Sequence, residues 1–312
     1  MNEVSRKILE QVNSVIIGKE AVTEKVLMAV LAQGHVLLED VPGVGKTTMA
    51  LAFARTLGLD SRRVQFTSDT MPSDIIGFSL YNKETGRFDY KSGAVMTNLL
   101  LADEINRPSS KTQSALLEAM EEYQVTVDGH TYPLPKPFVV LATQNPVGSA
   151  GTQLLPSSQL DRFMIRTTMG YPDRQSQVDI LRERHHENPL DRLRGVVTCE
   201  ELLELIESAK QVHIADAVYD YIVDLVDATR SSELVELGVS PRGALALCRM
   251  AKAHAFVRGG DFVTPEDVYQ VFDDVCAHRL VLSAKARLGK ITAREITDQL
   301  RQQVPVPQVA QL

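Results

Sequence analysis

The stretch from Asp40 to Thr48 restricts the possible fold more than any other part of the sequence. It contains two glycines followed by Lys46, comes directly after the apolar run Val36–Leu38, and leads into a helical pattern. A strand, a glycine-containing loop and a new helix in this order surround an anion with backbone N–H groups and the positive helix end. The stretch is therefore predicted to bind phosphate, through Asp40, Val41, Pro42, Gly43, Val44, Gly45, Lys46, Thr47 and Thr48. We call it the phosphate loop.

Single residues of the phosphate loop have separate predicted roles. Gly43 and Gly45 let the backbone approach a phosphate because they lack a Cβ atom. Lys46 is expected on the β- and γ-phosphates of a nucleotide, and Thr47 is expected to ligate Mg²⁺. Asp40 stands where such loops usually begin with glycine, and aspartate tolerates left-handed geometry better than most residues.

Short apolar runs alternate with helical patterns through the first half of the chain. Such alternation predicts an α/β fold, in which a five-stranded parallel sheet has helices on both faces. Two hairpins are expected to interrupt it, at Phe78–Tyr90 and at Val125–Leu134. The five expected strands contain Val36–Leu38, Val64–Phe66, Leu99–Ala102, Phe138–Thr143 and Phe163–Ile165.

The pattern changes to helices alone from about Tyr171. We therefore expect a nucleotide-binding domain over residues 1–170 and an all-helical lid over residues 171–300. Thr198 with Glu201 has the spacing of a helix capping box, and Ser240 before Pro241 begins another helix. Prolines near the end of the chain stop the last helix, so residues 301–312 are expected to form a flexible tail.

Two strands end in polar residues suited to hydrolysis. Asp103 and Glu104 follow the apolar run Leu99–Ala102. Asp103 is expected to hold Mg²⁺ and Glu104 to polarise the attacking water, because phosphoryl transfer needs a positioned nucleophile. Asn145 ends the next strand, where it either orients that water or only caps the turn before Pro146.

Two arginines are candidates for stabilising the charge on the transferred phosphate. Arg162 precedes the last strand and is expected to act on the site of a neighbouring copy, and a surface ion pair with Asp161 is the alternative. Arg242 lies in the first turn of the helix that Ser240 and Pro241 begin. It either reaches the γ-phosphate from the lid or is merely solvated.

The composition restricts the partners and the compartment. The net charge is −7, which argues against non-specific binding to nucleic acid. The three cysteines are far apart, which favours free thiols in a reducing compartment. The sequence contains neither a signal segment nor the roughly 18 uninterrupted apolar residues of a membrane helix. We therefore expect a cytoplasmic protein without membrane insertion.

Taken in order, these candidates resemble the motif series of AAA+ ATPases. The sequence is similar, more narrowly, to the MoxR family over roughly Ile17 to Leu282. The similarity rests on Asp103–Arg107, Lys111–Gln113, Leu116–Met120, Ala142–Pro146 and Leu160–Phe163. It departs from the family at Asp40, at Pro108–Ser110 and at Ser157–Ser158, and none of these positions is an expected catalytic group.

The resemblance implies several further properties. The family binds ATP or ADP with Mg²⁺, and Ile17 and Gly18 match its segment beside the adenine. It implies a helix-2 insert at Phe78–Tyr90 and a hexameric ring of identical chains. It also implies chaperone-like remodelling of a partner complex, often one with a von Willebrand factor A domain.

Two other functions stay open at this point. One is the ATPase subunit of a magnesium-chelatase-like metal inserter, and the other is a DNA-directed motor. The hairpin at Phe78–Tyr90 also leaves an alternative open. Phe88 and Tyr90 are expected to share one strand face and Phe78 and Leu80 a face of the opposing strand, either packed on the core or turned towards a partner.

Overall fold

The computed structural model describes residues 1–40, 43–144, 155–183 and 188–307. Val41, Pro42 and Asn145, three of the expected site residues, lie outside these ranges. The strands are β1 (Val36–Glu39), β2 (Ser61–Gln65), β3 (Gly77–Asn82), β4 (Arg87–Ser92), β5 (Leu99–Asp103), β6 (Gln124–Val127), β7 (His130–Pro133), β8 (Val139–Gln144), β9 (Ile165–Thr167), β10 (Val235–Leu237) and β11 (Val281–Leu282). The helices are α1 (Glu3–Asn13), α2 (Glu20–Leu31), α3 (Lys46–Thr56), α4 (Pro72–Ile76), α5 (Ser110–Glu122), α6 (Ser157–Leu160), α7 (Arg174–Glu183), α8 (Cys199–Lys210), α9 (Asp216–Ser231), α10 (Pro241–Arg258), α11 (Pro265–Cys276), α12 (Ala284–Leu288) and α13 (Ala293–Gln303).

The central sheet has five parallel strands in the order β2-β5-β8-β1-β9. Each expected apolar run supplies one strand, so the predicted α/β fold is confirmed. Successive side chains of β5 go to opposite faces: Leu99 and Leu101 join one buried cluster, and Leu100 joins the other. Both faces of β5 are therefore covered, which explains why this strand is apolar up to Asp103.

Both predicted hairpins form, as β3–β4 and β6–β7. The register pairs Tyr81 with Phe88 and Ser79 with Tyr90. Directly paired residues share a face, so Phe88 and Tyr90 lie with Tyr81, whereas Phe78 and Leu80 lie on the opposite face. Of the aromatic and leucine side chains of this hairpin, Tyr90 is the one that packs on the core. Its ring stacks on Tyr132 with centroids 4.0 Å apart, and its hydroxyl donates to the Ile76 carbonyl at 2.6 Å. The side chains of Phe78, Leu80, Tyr81 and Phe88 are at least half exposed.

The second part of the chain is mainly helical and differs from expectation in two details. The expected helix starts are present, with a capping box at Thr198 and Glu201 and a cap at Ser240. The strands β10 and β11 pair antiparallel, so the region is not purely helical. The helix α13 continues to Gln303 because Ile296 and Leu300 are buried, which shortens the expected tail at its start. None of the helices in the described ranges is long and apolar enough to cross a membrane.

A buried histidine joins three elements at the amino-terminal edge of the sheet. His35, just before β1, accepts a hydrogen bond at Nδ1 from the Val140 backbone N–H at 3.0 Å. Its Nε2 lies 3.0 Å from the Met120 carbonyl oxygen at the end of α5. A ring that accepts at one nitrogen and donates from the other is neutral. Burial lowers the pKa of His35 from the ordinary 6.5 to about 4.

This pKa predicts a loss of stability in mild acid. Between about pH 6.5 and pH 4 the unfolded chain binds a proton that folded His35 does not, so stability is present above pH 6.5 and falls as the pH is lowered. His35→Gln keeps a donor and does not titrate. Between pH 7 and pH 5 we expect the wild-type free energy of unfolding to fall by about 2 kcal/mol more than that of His35→Gln. Urea unfolding at both pH values measures this difference, and equal losses would show that His35 takes up its proton in the folded state.

Candidate active site

The phosphate loop lies at the carboxyl-terminal edge of β1 and leads into α3. Gly43 and Gly45 have φ angles of +88° and +97°, a region that favours glycine, and Gly45 precedes the first residue of α3. A Cβ atom added at Gly43 would meet no atom within 4 Å, so backbone conformation rather than space requires glycine there. Thr47 and Thr48 lie half-buried in the first turn of α3, and Val44 packs against the core.

Lys46 is buried and directed back at the loop. Its Nζ donates to the Asp40 carbonyl oxygen at 2.8 Å. Burial lowers the pKa of Lys46, and the nearby carboxylates of Asp40, Asp103 and Glu104 act in the opposite direction. The lysine therefore lies close to both predicted catalytic acids, as a phosphate-binding cation should.

The side chain of Asp103 has two partners at the end of β5. Its Oδ1 accepts from the Thr143 hydroxyl at 3.2 Å, and its Oδ2 accepts from Arg63 Nε at 2.8 Å. The carboxylate is buried, whereas the arginine is about half exposed. Neither Arg63 nor Thr143 was predictable as a partner of Asp103, because each lies on a strand distant from it in sequence.

Glu104 adopts a backbone conformation that is rare for a residue with a side chain. Its φ angle is +59°, and such a residue costs about 1–3 kcal/mol unless the surroundings hold it. The Thr143 hydroxyl accepts from the Glu104 backbone N–H at 3.0 Å, and the Thr143 carbonyl accepts from the Ile105 N–H at 3.0 Å. The carboxylate forms an ion pair with Arg107, with 2.6 Å between Oε2 and Nε. Thr143 thus positions both acids.

The segment at Ile17 and Gly18 packs against the chain that follows β9. Gly18 has a φ of +71°, and a Cβ atom there would lie 2.2 Å from the Ser176 hydroxyl oxygen. Lys19 Nζ donates to the Tyr171 carbonyl at 2.8 Å. This segment is therefore held beside the connection to the lid. Its contact with adenine stays a prediction.

Arg162 and Arg242 share one carboxylate. Arg162 Nε donates to Glu121 Oε2 at 2.8 Å, and Arg242 Nη2 donates to Glu121 Oε1. Hydrogen bonding from Arg162, with a further contribution from Arg242, lowers the pKa of Glu121. We call these three residues the arginine cluster. They line a cavity of about 410 Å³ together with Arg249 and Arg279.

The arginine cluster lies at the opposite edge of the sheet from the phosphate loop. His35 also lines its cavity, and His35 precedes β1, whereas Asp40 follows it. Five residues of extended chain span about 16 Å. The structure therefore does not bring Arg162 or Arg242 to the phosphate loop of the same chain. Arg242 therefore does not reach the γ-phosphate of its own chain from the lid, which differs from the first expectation. The second expectation, mere solvation, does not hold either, because Arg242 pairs with Glu121.

Asp161 pairs with Arg279 and not with Arg162, whose ion-pair partner is Glu121. Its Oδ1 accepts from the buried Arg279 Nε at 2.8 Å, and its Oδ2 accepts from the Ser240 hydroxyl at 3.0 Å. Arg279 also donates to the Phe163 and Met164 carbonyls. Asp161 and Arg279 therefore join the start of β9 to α10 and fix the position from which Arg162 extends.

The donors near the phosphate loop fit Mg²⁺. The Thr47 hydroxyl and the Asp103 carboxylate are oxygen ligands, which this hard cation prefers. Across the described ranges no group of three His, Cys, Asp or Glu side chains is arranged to hold a metal. Mg²⁺ commonly uses one or two protein ligands together with water and substrate phosphates, so two oxygen donors suffice.

Comparison with known proteins agrees with this geometry. The profile of the ATPase family associated with various cellular activities (AAA) matches residues 35–165, and that of the AAA lid domain matches residues 227–300. The uncharacterized protein YeaC of Bacillus subtilis (strain 168) is 46% identical over 96% of this chain and 94% of its own length. Chaperone MoxR1 of Mycobacterium tuberculosis (strain ATCC 25618 / H37Rv) is 40% identical over 99% of this chain and 84% of its own. A crystal structure from Cytophaga hutchinsonii ATCC 33406 superposes with a TM-score of 0.90 at 38% identity, covering 97% of this chain and 94% of the other.

The fold, the phosphate loop and these matches define a nucleotide-binding AAA+ ATPase. The protein MoxR of Methylorubrum extorquens is 30% identical over 98% of this chain and 96% of its own. This relative and the Mycobacterium relative identify the family within the AAA+ ATPases. The chain belongs to the MoxR family of AAA+ ATPases.

The position of Thr143 generates a prediction about turnover. Thr143→Val keeps the shape of the side chain but removes the hydroxyl that binds Asp103 and the Glu104 N–H. We expect kcat for ATP hydrolysis to fall by about tenfold or more, since both acids lose a positioning contact. KM should change little because the phosphate loop is untouched. Thr143→Ser retains the hydroxyl and should keep kcat within about threefold of wild type. Equal losses in the two variants would point to packing rather than to the hydroxyl.

Proposed function

We propose that this ATPase uses Mg²⁺, assembles into a ring whose active sites are shared between neighbouring copies, and remodels a partner protein complex. The observation that carries the proposal is the arginine cluster. Arg162 and Arg242 lie together, and both are remote from the phosphate loop of their own chain. Arginines that stabilise a transferred phosphate must touch it, so in this arrangement they act on a neighbour.

In the same chain, residues of the phosphate loop and the ends of β5 and β8 form the other half of the site. Lys46 leaves the Asp40 carbonyl to bind the β- and γ-phosphates, with the backbone of residues 43–48 around them. Thr47 and Asp103 would hold Mg²⁺, which when bound neutralises charge on the phosphates. Glu104 polarises the attacking water, and Asn145, which follows β8, orients it. Ile17 and Gly18 lie beside the adenine.

A contact between different surfaces of identical chains is head-to-tail, and it closes into a ring when the rotation permits. The arginine edge of one copy and the phosphate-loop edge of the next form such a pair of surfaces. A hexamer is the ring that the MoxR resemblance implies. Glu121 holds the two arginines together in the single chain, and in the ring the phosphates of the neighbour compete with it for them.

The remodelling role is supported by the relatives and by the exposed hairpin. One relative is named a chaperone, and the family resemblance implies a partner with a von Willebrand factor A domain. The hairpin β3–β4 presents Phe78 and Leu80 on one face and Tyr81 and Phe88 on the other. Exposed apolar side chains on both faces suit transient contact with a protein chain. We place the action in the cytoplasm, where the three free thiols stay reduced.

The division of the chain follows the same proposal. Residues 1–170 form the nucleotide-binding domain and residues 171–300 the lid. Residues 301–312 form the tail, and its first three residues continue α13. The lid contributes Arg242 to the shared site, so lid and sheet must keep a defined relative position during hydrolysis.

Mixing of inactive variants tests the shared site. Arg162→Ala, Arg242→Ala and Lys46→Ala should each hydrolyse ATP far more slowly than wild type. Mixing Lys46→Ala with either arginine variant should restore activity, because about a quarter of randomly formed interfaces then combine two intact halves. Lys46→Ala mixed with Glu104→Gln is the matched control, since both changes affect the same half, and it should stay inactive. Activity restored for neither arginine, with mixed rings confirmed by native mass spectrometry, would reject the shared site.

A second experiment tests the hairpin as the contact with other proteins. Tyr81→Ser with Phe88→Ser removes one apolar face, and Phe78→Ser with Leu80→Ser removes the other. Light scattering by reduced insulin B chain reports binding of an unfolded protein. We expect at least one double variant to lose about half of the wild-type suppression of aggregation, while its ATPase rate stays unchanged because the four side chains are exposed and none belongs to the proposed nucleotide site. Full suppression by both variants would assign the contact to another surface.

A further inference from the structure

Asp40, the residue that stands where the phosphate loop usually has glycine, has a partner at every polar atom. Its carboxylate is buried and accepts from the backbone N–H of Gly170 at 2.9 Å and from that of Met169. Its backbone carbonyl accepts from Lys46 Nζ at 2.8 Å, and its N–H donates to the Gln144 carbonyl at 3.3 Å. One side chain therefore links the phosphate loop to a segment 130 residues away.

The segment that Asp40 holds is the covalent connection between the sheet and the lid. Met169 and Gly170 lie between β9, which ends at Thr167, and α7, which begins at Arg174. We call residues 168–173 the lid connection. Its other end is held on the adenine side, where Lys19 Nζ donates to the Tyr171 carbonyl at 2.8 Å. The chain that leads to the lid is thus bound at both sides of the predicted nucleotide site.

Charge makes the Asp40 contact sensitive to phosphate. A buried carboxylate next to a phosphate-binding loop is repelled by a bound nucleotide. Lys46 attracts this carboxylate in the structure, although its hydrogen bond goes to the carbonyl oxygen of the same residue. When Lys46 turns to the phosphates, Asp40 loses that donor and gains a negative neighbour. The two N–H groups of the lid connection are then the partners that remain to its carboxylate.

We propose that Asp40 is a positioning residue that couples occupancy of the phosphate loop to the lid connection through Met169 and Gly170. Glycine at this position has no side chain to reach those N–H groups. The substitution therefore separates the two functions of the position, binding phosphate through the backbone and holding the connection through the carboxylate. This inference rests on nucleotide binding by the phosphate loop and not on a shared site or a ring.

Hydrogen exchange provides a direct readout, because the contact consists of two backbone N–H groups. The test compares wild type and Asp40→Gly without nucleotide and with Mg²⁺ and ATPγS, following the peptide over residues 165–172 by mass spectrometry. In wild type we expect slow exchange that changes severalfold on addition of nucleotide. In Asp40→Gly we expect exchange about tenfold faster without nucleotide, from loss of the charged acceptor, and little further change when nucleotide is added. KM for ATP should stay within about threefold, while kcat falls about tenfold.

Two further variants make the outcome decisive. Asp40→Asn keeps the shape of the side chain but only one acceptor oxygen, so its exchange rate should lie between those of wild type and Asp40→Gly. It replaces Asp40→Gly in the test if the glycine variant unfolds. Lys19→Met removes the other tie to the lid connection and leaves the phosphate loop intact. It should leave the nucleotide-dependent change in exchange in place. The proposal would be overturned if Lys19→Met and Asp40→Gly had equal effects. It would also be overturned if exchange of the wild-type peptide did not change with nucleotide, or if exchange of the Asp40→Gly peptide still did. Failure of the mixing experiment would leave it standing.

Discussion

The parallel alignment of β1 with β8 and β9 is the constraint on which the rest of this molecule depends. Val36 pairs with Leu141 on one side and with Ile165 on the other, so β1 is buried between two neighbours. Parallel strands bring all their carboxyl ends to one edge. The phosphate loop, Asp103 and Thr143 meet there because their strands run in the same direction, although they are far apart in the sequence.

The same alignment gives the two edges of the sheet different sets of residues. The carboxyl-terminal edge carries the residues predicted to bind nucleotide. The amino-terminal edge carries His35, Glu121 and the two arginines, and buried hydrogen bonds join His35 to Met120 and to Val140 of β8. A site that needs groups from both edges is incomplete within one chain, which is the physical basis for proposing that it is completed between copies. Asp40 and the lid connection then offer a route by which the nucleotide-binding edge influences the lid.

Much of the fold was predictable because its signals are local. Five apolar runs gave five strands, and helix caps such as Thr198 and Ser240 were read correctly, since capping depends on residues within one turn. The details that the sequence left open or did not predict depend on contacts over a distance. The pairing of β10 with β11 joins residues more than forty positions apart. The faces of the hairpin β3–β4 depend on its register, and the end of α13 depends on burial of Leu300 against other helices.

The sequence by itself determined which chemical groups are available for phosphate binding and hydrolysis. They are a glycine-containing loop with Lys46, two acids at the end of an apolar run, and two arginines. These follow from the residues present and from their immediate neighbours, because backbone conformation and charge are local properties. Only the tertiary structure decided where that chemistry acts. It placed Arg242 on Glu121, which is 121 positions away, and the carboxylate of Asp40 on the lid connection. Thr143 became the group that positions both acids. Such contacts depend on the order in which strands pair and helices pack, which is set by the burial of the whole core and not by any one segment.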